Sequence, residues 1–182
     1  MTVEIIQNGN NLLREISKDI PLKNITDSHI QKVILDMNEA LNGQYDGVAI
    51  AAPQIGITLR IFIISGKVFD DEFLFGDKKS YHIKKNKKSI PNMVFINPVI
   101  KKISRDRKLM DEGCLSVRPI YGKVRRATRA TIEAYNEKGE KFTMNGSGLL
   151  AHIFQHETDH LDGILFIDKA KSIREEPEWQ NK

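Results

Sequence analysis

The sequence predicts an α+β fold in which short antiparallel or mixed strands surround one central helix. Short segments rich in β-branched and aromatic residues alternate with turn residues, and a strongly apolar helical segment lies near the C-terminus. Strands and helices do not alternate in the order that builds a parallel sheet. With 182 residues, the chain is expected to form a single domain over residues 1–182.

Composition and charge exclude several classes of protein. Apolar residues make up 40% and charged residues 29%, with a formal net charge of +4. A disordered chain would have fewer aliphatic residues and more net charge, and no apolar run approaches the ~20 residues of a membrane span. No secretory signal is expected at the N-terminus. Cys114 is the one cysteine, so no disulfide partner exists within the chain, and a reducing cytoplasm is expected.

Each predicted element rests on a local pattern. Apolar side chains recur at helical spacing from Asp27 to Asn42, between capping residues, which predicts a helix. Compact β-branched runs predict strands over residues 59–65 and 93–103, and a hairpin is predicted over residues 129–144. A helix of about four turns is predicted between Ser147 and Gly163, followed by a short strand or extended run over residues 164–167.

Two charged regions are predicted to lie outside the core. Residues 66–91 are expected to be a loop or insertion because six lysines crowd a polar stretch there, namely Lys78, Lys79, Lys84, Lys85, Lys87 and Lys88. A solvated surface loop is the favoured interpretation, and contact with RNA phosphates is the other. Residues 169–182 are expected to form a charged C-terminal tail or a surface helix.

The predicted C-terminal helix carries the sequence His156-Glu157-Thr158-Asp159-His160. Residues four apart lie on one face of a helix, so both imidazoles can reach one cation. Glu157 can project toward a water molecule on that cation and carry its proton. The pattern therefore predicts that the central helix binds a metal ion beside a general base.

A catalytic metal needs a third protein ligand and an open position. His152 lies eight residues before His160, a rise of about 12 Å, so the two cannot bind one ion on a straight helix. His152 is instead expected to line a pocket or to be a satisfied core histidine. Cys114 completes the set, because one thiolate and two imidazoles leave the fourth position to water.

Three segments together resemble the peptide deformylase family. They are Gly-Val-Ala-Ile-Ala-Ala-Pro-Gln at residues 47–54, Glu-Gly-Cys-Leu-Ser at residues 112–116 and Gln-His-Glu-Thr-Asp-His at residues 155–160. Their order and spacing match the family, and the resemblance runs from about Asp27 to Asp168. The last motif alone is common, but the three together are highly specific.

The resemblance implies a hydrolase that removes the formyl group from the N-terminal formyl-methionine of nascent polypeptides and releases formate. It implies that Cys114, His156 and His160 hold one divalent metal, most often Fe²⁺, with Zn²⁺ or Ni²⁺ as substitutes. It assigns proton transfer to Glu157. The side-chain amide of Gln54 and the backbone N–H of Leu115 would hold the oxyanion.

The resemblance also implies how substrate and metal ligands are supported. An extended peptide would add as a strand, and the residues placed near it are Val48, Ala49, Ile50, His152 and Ile153. An ion pair of Glu112 and Arg126 would fix the loop that carries Cys114. The implied partners are formyl-methionyl nascent peptides and, transiently, the ribosome, in a bacterial cytoplasm.

The chain departs from the family pattern at four places, one of which is the basic stretch between Leu74 and Ser89, which resembles an insertion relative to compact members of the family. Ala49 stands where the family has a second glycine, His152 where it has an aliphatic pocket residue, and Arg118 precedes a proline that comes one place late. Three other hypotheses stay open from the sequence. They are a zinc endopeptidase that uses a distant acid, a metal-stapled RNA-binding module, and a degenerate paralogue that hydrolyses formyl-methionine poorly.

Overall fold

The computed structural model describes residues 3–70 and 90–175, and within them eight strands form two antiparallel sheets. The larger sheet has the order β1-β2-β3-β6-β7 and the smaller has the order β4-β5-β8. The strands are β1 (Ala49–Ala51), β2 (Ile61–Ile64), β3 (Met93–Ile103), β4 (Arg107–Gly113), β5 (Ile120–Ala127), β6 (Arg129–Tyr135), β7 (Lys141–Ser147) and β8 (Ile173–Glu175). This architecture confirms the predicted α+β class.

Strand β3 joins two segments that the sequence shows as separate apolar runs around Pro98. The register with β6 shifts between Ile96 and Val99, because Asn97 adopts a left-handed backbone with φ of 48°. Its side-chain amide binds both backbone groups of Ile20. Oδ1 accepts from the Ile20 N–H at 2.9 Å, and Nδ2 donates to the Ile20 carbonyl at 2.7 Å. Asparagine tolerates this conformation better than most side chains.

Helix α1 (Ser28–Asn42) confirms the predicted helix over this segment. It buries one face in the core, formed by Ile30, Val33, Ile34, Met37, Ala40 and Leu41. Such spacing is the stripe expected of a surface helix that packs on one side.

Helix α2 (Leu149–Leu161) packs against β1, β2, β3, β6 and β7 of the larger sheet and against β5 of the smaller sheet. Phe154 anchors it to the larger sheet, with its ring centroid 5.7 Å from that of Phe95. The helix starts after Gly148, because Ser147 belongs to β7, and Gly163 follows its end with φ of 73°. Its enclosed position makes its polar residues buried, and these carry the candidate site.

Several segments differ from the sequence prediction. The hairpin of β4 and β5 was not predicted. In the predicted short strand or extended run over residues 164–167, Leu165 is extended, but Phe166–Asp168 form a 3₁₀ turn. Further 3₁₀ turns are Asn11–Arg14, Leu22–Asn24, Ala52–Ile55 and Gly66–Phe69. The last of these begins the region predicted as a loop, whose lysines Lys78 to Lys88 lie outside the described residues.

The segment after residue 169 also differs from the predicted tail or surface helix. Ile173–Glu175 form edge strand β8, which pairs with the start of β5. Backbone pairing with β5 satisfies groups that a free tail would leave to water. Within residues 3–70 and 90–175, neither helix has the length and apolar character needed to cross a bilayer.

Candidate active site

Three elements meet at a cavity of about 270 Å³. Helix α2 supplies His152, His156 and Glu157, the 3₁₀ turn after β1 supplies Gln54, and Cys114 follows β4 directly. Gly113, the last residue of β4, pairs with Tyr121 of β5. Cys114 therefore lies just beyond the paired part of the hairpin, where it lines the cavity together with residues of α2.

The structure brings the three predicted metal ligands together. Cys114 Sγ lies 3.2 Å from His160 Nε2, and one candidate ligand atom from each of Cys114, His156 and His160 lies within 4.8 Å of the others. Burial lowers the pKa of His160 well below its ordinary value, which favours the neutral ring that a metal ligand requires. A thiolate with two imidazoles suits zinc, iron or nickel. The residues present therefore fit a divalent metal.

Glu112 is the buried centre of a hydrogen-bond network beside these ligands. Its side chain has no exposed surface, and Arg126 bonds both oxygens, at 2.6 Å from Nε and 3.0 Å from Nη2. His152 Nε2 and His156 Nδ1 each lie 2.8 Å from one oxygen of the same carboxylate. Burial acts to raise the pKa of Glu112, but the bonds from His152, His156 and Arg126 outweigh it and hold that pKa well below the ordinary range.

Arg126 extends this network back to α2. Its Nη1 donates to Asp159 Oδ2 at 2.6 Å, and Lys169 Nζ donates to the other oxygen of Asp159 at 2.7 Å. The predicted ion pair of Glu112 and Arg126 is thus present, and it joins β4, β5 and α2. Sequence reasoning missed Asp159, which sits inside the His-Glu-x-x-His segment and looks like a solvated acid.

Glu157 lines the cavity with a carboxyl group that is buried. Burial raises its pKa to about 7, against the opposing effect of His156. Its Oε2 is buried and has no hydrogen-bond partner in the described part of the chain. A carboxyl group with a pKa near neutrality can both accept and donate a proton, as general acid–base chemistry requires.

Gln54 faces Cys114 from the opposite wall. Its Nε2 lies 3.5 Å from Cys114 Sγ and donates to Ser116 Oγ at 3.1 Å, while its Oε1 accepts from the Ala51 N–H at 2.8 Å. The N–H of Ser116 also points at Cys114 Sγ, at 3.4 Å. Ser116 lies in the same sequence motif as Cys114.

Leu115 lies between Cys114 and Ser116 in the sequence, and it lines the cavity. Its side chain packs in the core that α1 helps to form, and its carbonyl accepts from Gln7 Nε2 at 3.0 Å. These two anchors hold the segment that carries Cys114. Sequence reasoning also missed this contact of Gln7 with Leu115.

Among the strands that the structure describes, the one that precedes Gln54 lies at the edge of the larger sheet. Strand β1 is the outermost strand of the larger sheet, and Val48 and Ala49 line the cavity. Ser65 donates to the Val48 carbonyl at 2.8 Å, so by the alternation of an antiparallel ladder the N–H and C=O of Ala49 point away from β2. The Ile50 side chain is fully buried in the core and does not line the cavity, because residues alternate faces along a strand.

The rest of the cavity wall combines apolar and charged groups. Ile153 and Leu149 line it from α2. At its rim Arg118 Nη2 donates to Asp46 Oδ1 at 2.6 Å, which links residues 72 apart in the sequence. Neither member of this pair was predicted to be a site residue, since only the fold brings them together.

A statistical model of the family described as Polypeptide deformylase matches residues 2–176. The chain belongs to this family. The match spans both sheets, both helices and all the predicted site residues, and it confirms the resemblance that the three motifs indicate.

Similar proteins come from bacteria and plants. The chain is 39% identical over 171 residues to a peptide deformylase of Desulfitobacterium hafniense, covering 92% of this chain and 94% of that protein. It is 36% identical over 166 residues to peptide deformylase 1A, chloroplastic/mitochondrial, of Arabidopsis thaliana, covering 91% of this chain. The chain spans 60% of the Arabidopsis protein and 58% of a similar tomato (Solanum lycopersicum) protein.

Solved structures show the same fold. A peptide deformylase from Thermotoga maritima superposes with a TM-score of 0.74 at 30% identity, covering 94% of this chain and 99% of that one. A Legionella pneumophila peptide deformylase gives 0.75 at 34% identity, covering 94% and 87%. A Synechococcus elongatus peptide deformylase in complex with actinonin gives 0.74 at 27% identity, covering 93% and 79%.

Proposed function

We propose that this protein is a metal-dependent hydrolase that removes the N-formyl group from the terminal formyl-methionine of nascent polypeptides and releases formate. The observation that carries the proposal is the convergence of Cys114, His156 and His160 beside the buried carboxyl of Glu157, in a chain of the deformylase family. The rival hypothesis of a zinc endopeptidase requires a distant acid as the third metal ligand. In this structure the third candidate ligand is a cysteine, whose sulfur lies close to the two histidines.

We propose that Cys114, His156 and His160 hold one divalent metal, with Fe²⁺ as the natural ion and Zn²⁺ or Ni²⁺ as substitutes. When bound, such an ion acidifies a coordinated water molecule and polarises the formyl carbonyl. The donor set supports this choice, since late first-row metals accept mixed thiolate and imidazole ligands.

In the proposed mechanism Glu157 moves the proton. Its carboxylate takes a proton from the attacking water and then gives it to the amine that leaves when the C–N bond breaks, so one water yields formate and a free N-terminus. Its pKa of about 7 supports both roles, because burial makes the neutral and charged forms similar in free energy near neutral pH.

Gln54 and the Leu115 N–H are proposed to stabilise the oxyanion of the tetrahedral intermediate. The Gln54 amide supports this role because it lies 3.5 Å from Cys114 Sγ and is held by Ala51 and Ser116, which fixes its direction. A donor fixed in advance costs little reorganisation when charge develops.

The peptide is proposed to bind as an added strand on the free edge of β1. The outward N–H and C=O of Ala49 support this mode, since an edge strand offers unpaired backbone groups to an extended chain. The walls formed by Val48, His152 and Ile153 would receive the methionine side chain. Ile50 would contribute only by positioning the strand.

A transient ribosome contact and a bacterial cytoplasmic location are also proposed. Seven exposed cations near the ends of β3, β4 and β5 support the contact, because none forms an ion pair among the residues described. They are Lys102, Arg105, Arg107, Lys108, Lys123, Arg125 and Arg129. Phosphate binding by such a cluster weakens steeply with salt. Co-sedimentation with bacterial ribosomes that does not weaken from 50 to 200 mM salt would contradict a phosphate contact.

The activity is tested with protein purified without oxygen, with its metal quantified in the same sample. The proposal predicts release of formate from formyl-methionyl-alanine and no cleavage of internal peptide bonds. Cleavage of an unformylated peptide without formate release would instead favour the endopeptidase. Metal binding without turnover on any formylated dipeptide would favour the degenerate paralogue.

A further inference from the structure

His152 makes a contact that its place on the cavity wall does not explain. Its Nε2 lies 2.8 Å from Glu112 Oε1, and His156 Nδ1, one helical turn further on, lies 2.8 Å from Glu112 Oε2. Two imidazoles of α2 therefore hold the two oxygens of one carboxylate. Because an ionised carboxylate only accepts hydrogen bonds, both ring nitrogens are donors.

The position of Glu112 connects this contact to the candidate metal ligands. Glu112 lies two residues before Cys114 at the end of β4, and its side chain is fully buried. A shift of its carboxylate therefore moves the segment that carries the thiol. The bond from His156 Nδ1 also leaves Nε2 as the ring nitrogen available to a metal.

We propose that His152 is a positioning residue for the metal centre: by donating to Glu112 it fixes the ring of His156 and the place of Cys114 relative to α2. The inference rests on the metal site proposed above. Arg126 holds the same carboxylate from β5, and its contact with α2 is a hydrogen bond to Asp159 and not to a proposed metal ligand. Among the described residues of α2, His152 and the proposed ligand His156 are the two that contact Glu112 directly.

The proposed role requires a hydrogen-bond donor at the position that Nε2 of His152 occupies. A glutamine side chain can place its amide N–H close to that position, an asparagine is one methylene shorter, and a leucine fills much of the volume without a donor. His29 supplies a matched control, since it is an exposed histidine on α1, far from α2 in the sequence.

The test measures Co²⁺ binding to metal-free wild type, His152→Leu, His152→Gln and His29→Leu by competition with a chelator. The thiolate-to-cobalt absorption band reports the geometry of the site independently of activity. We expect His152→Leu to bind Co²⁺ about tenfold more weakly, with a shifted band, because residues that support metal ligands have effects of this size. His152→Gln should recover most of the affinity, and His29→Leu should match wild type.

Unchanged Co²⁺ affinity and spectrum in His152→Leu would overturn the proposal, as would a change in KM alone, which would make His152 only a pocket wall. If the leucine variant does not fold, His152→Asn is compared with His152→Gln: weaker binding by asparagine supports the proposal and equal binding overturns it. A wild type that binds no Co²⁺ would refute the proposed metal site itself, a distinguishable result.

Discussion

At the scale of single residues, the site depends on groups whose surroundings change their chemistry. Glu157 is a carboxyl group with a pKa of about 7 because it is buried beside the cavity, whereas Glu112, which contacts His152 and His156, is held ionised by its hydrogen bonds. Two glutamates therefore take different roles. The first is proposed to move a proton, and the second forms hydrogen bonds with neighbouring side chains.

The role of Glu157 is tested by Glu157→Gln. This change preserves the shape of the side chain and removes the proton carrier, so we expect kcat for formate release to fall by about 10²–10⁴-fold with metal content unchanged. Kinetics and metal analysis on the same preparation measure both quantities. Turnover near the wild-type rate would mean that another group carries the proton.

Local spacing predicts some of these residues and not others. His156, Glu157 and His160 are visible in the sequence because helical periodicity alone brings them together. Cys114 lies 46 residues from His160, so it could be proposed only as the missing third ligand and by resemblance. The contacts of Asp159 with Arg126 and of Arg118 with Asp46 depend on how distant segments pack, which no local pattern records.

At the scale of elements, the β4–β5 hairpin escaped prediction because its pattern is mostly charged. The inward positions of β5 are Gly122, Val124 and Arg126, of which only Val124 is an ordinary core residue. Arg126 is buried because it is paired with Glu112, and this pairing is invisible until the hairpin register is known. The hairpin that carries Cys114 is thus stabilised partly by ionic contacts.

The hairpin's dependence on Arg126 is tested by Arg126→Met, with Arg125→Met as a matched control. Both changes remove one positive charge, but Arg125 is exposed, whereas loss of Arg126 leaves Glu112 buried without its guanidinium partner. We expect Arg126→Met to lower the free energy of unfolding by about 3–5 kcal/mol and Arg125→Met to change it little. Denaturant unfolding of the metal-free proteins measures this, and equal effects would contradict it.

The edge of β1 is tested by Ala49→Pro. Proline removes the outward N–H of Ala49 while the bonds from its neighbours to β2 remain, and edge strands tolerate it. We expect KM for formyl-methionyl peptides to rise with Co²⁺ affinity and the site spectrum unchanged. An unaltered KM in a folded variant would show that the peptide does not pair with this edge.

At the scale of the whole molecule, the fold places the candidate metal ligands where two sheets and one helix meet. The larger sheet supplies the edge on which we propose that the peptide binds, Cys114 follows the last strand residue of β4 in the smaller sheet, and α2 supplies His156, His160 and Glu157. The α+β class and α2 were predictable from apolar periodicity. The division into two sheets was not, because it depends on pairings between distant strands.

The account depends most on the joint coordination of one ion by Cys114, His156 and His160. X-ray absorption at the zinc edge of the Zn²⁺-loaded protein measures it directly. We expect one sulfur neighbour at about 2.3 Å and two imidazole nitrogens at about 2.0–2.1 Å, with the sulfur absent in Cys114→Ser. A wild-type spectrum with only nitrogen and oxygen neighbours would contradict the account.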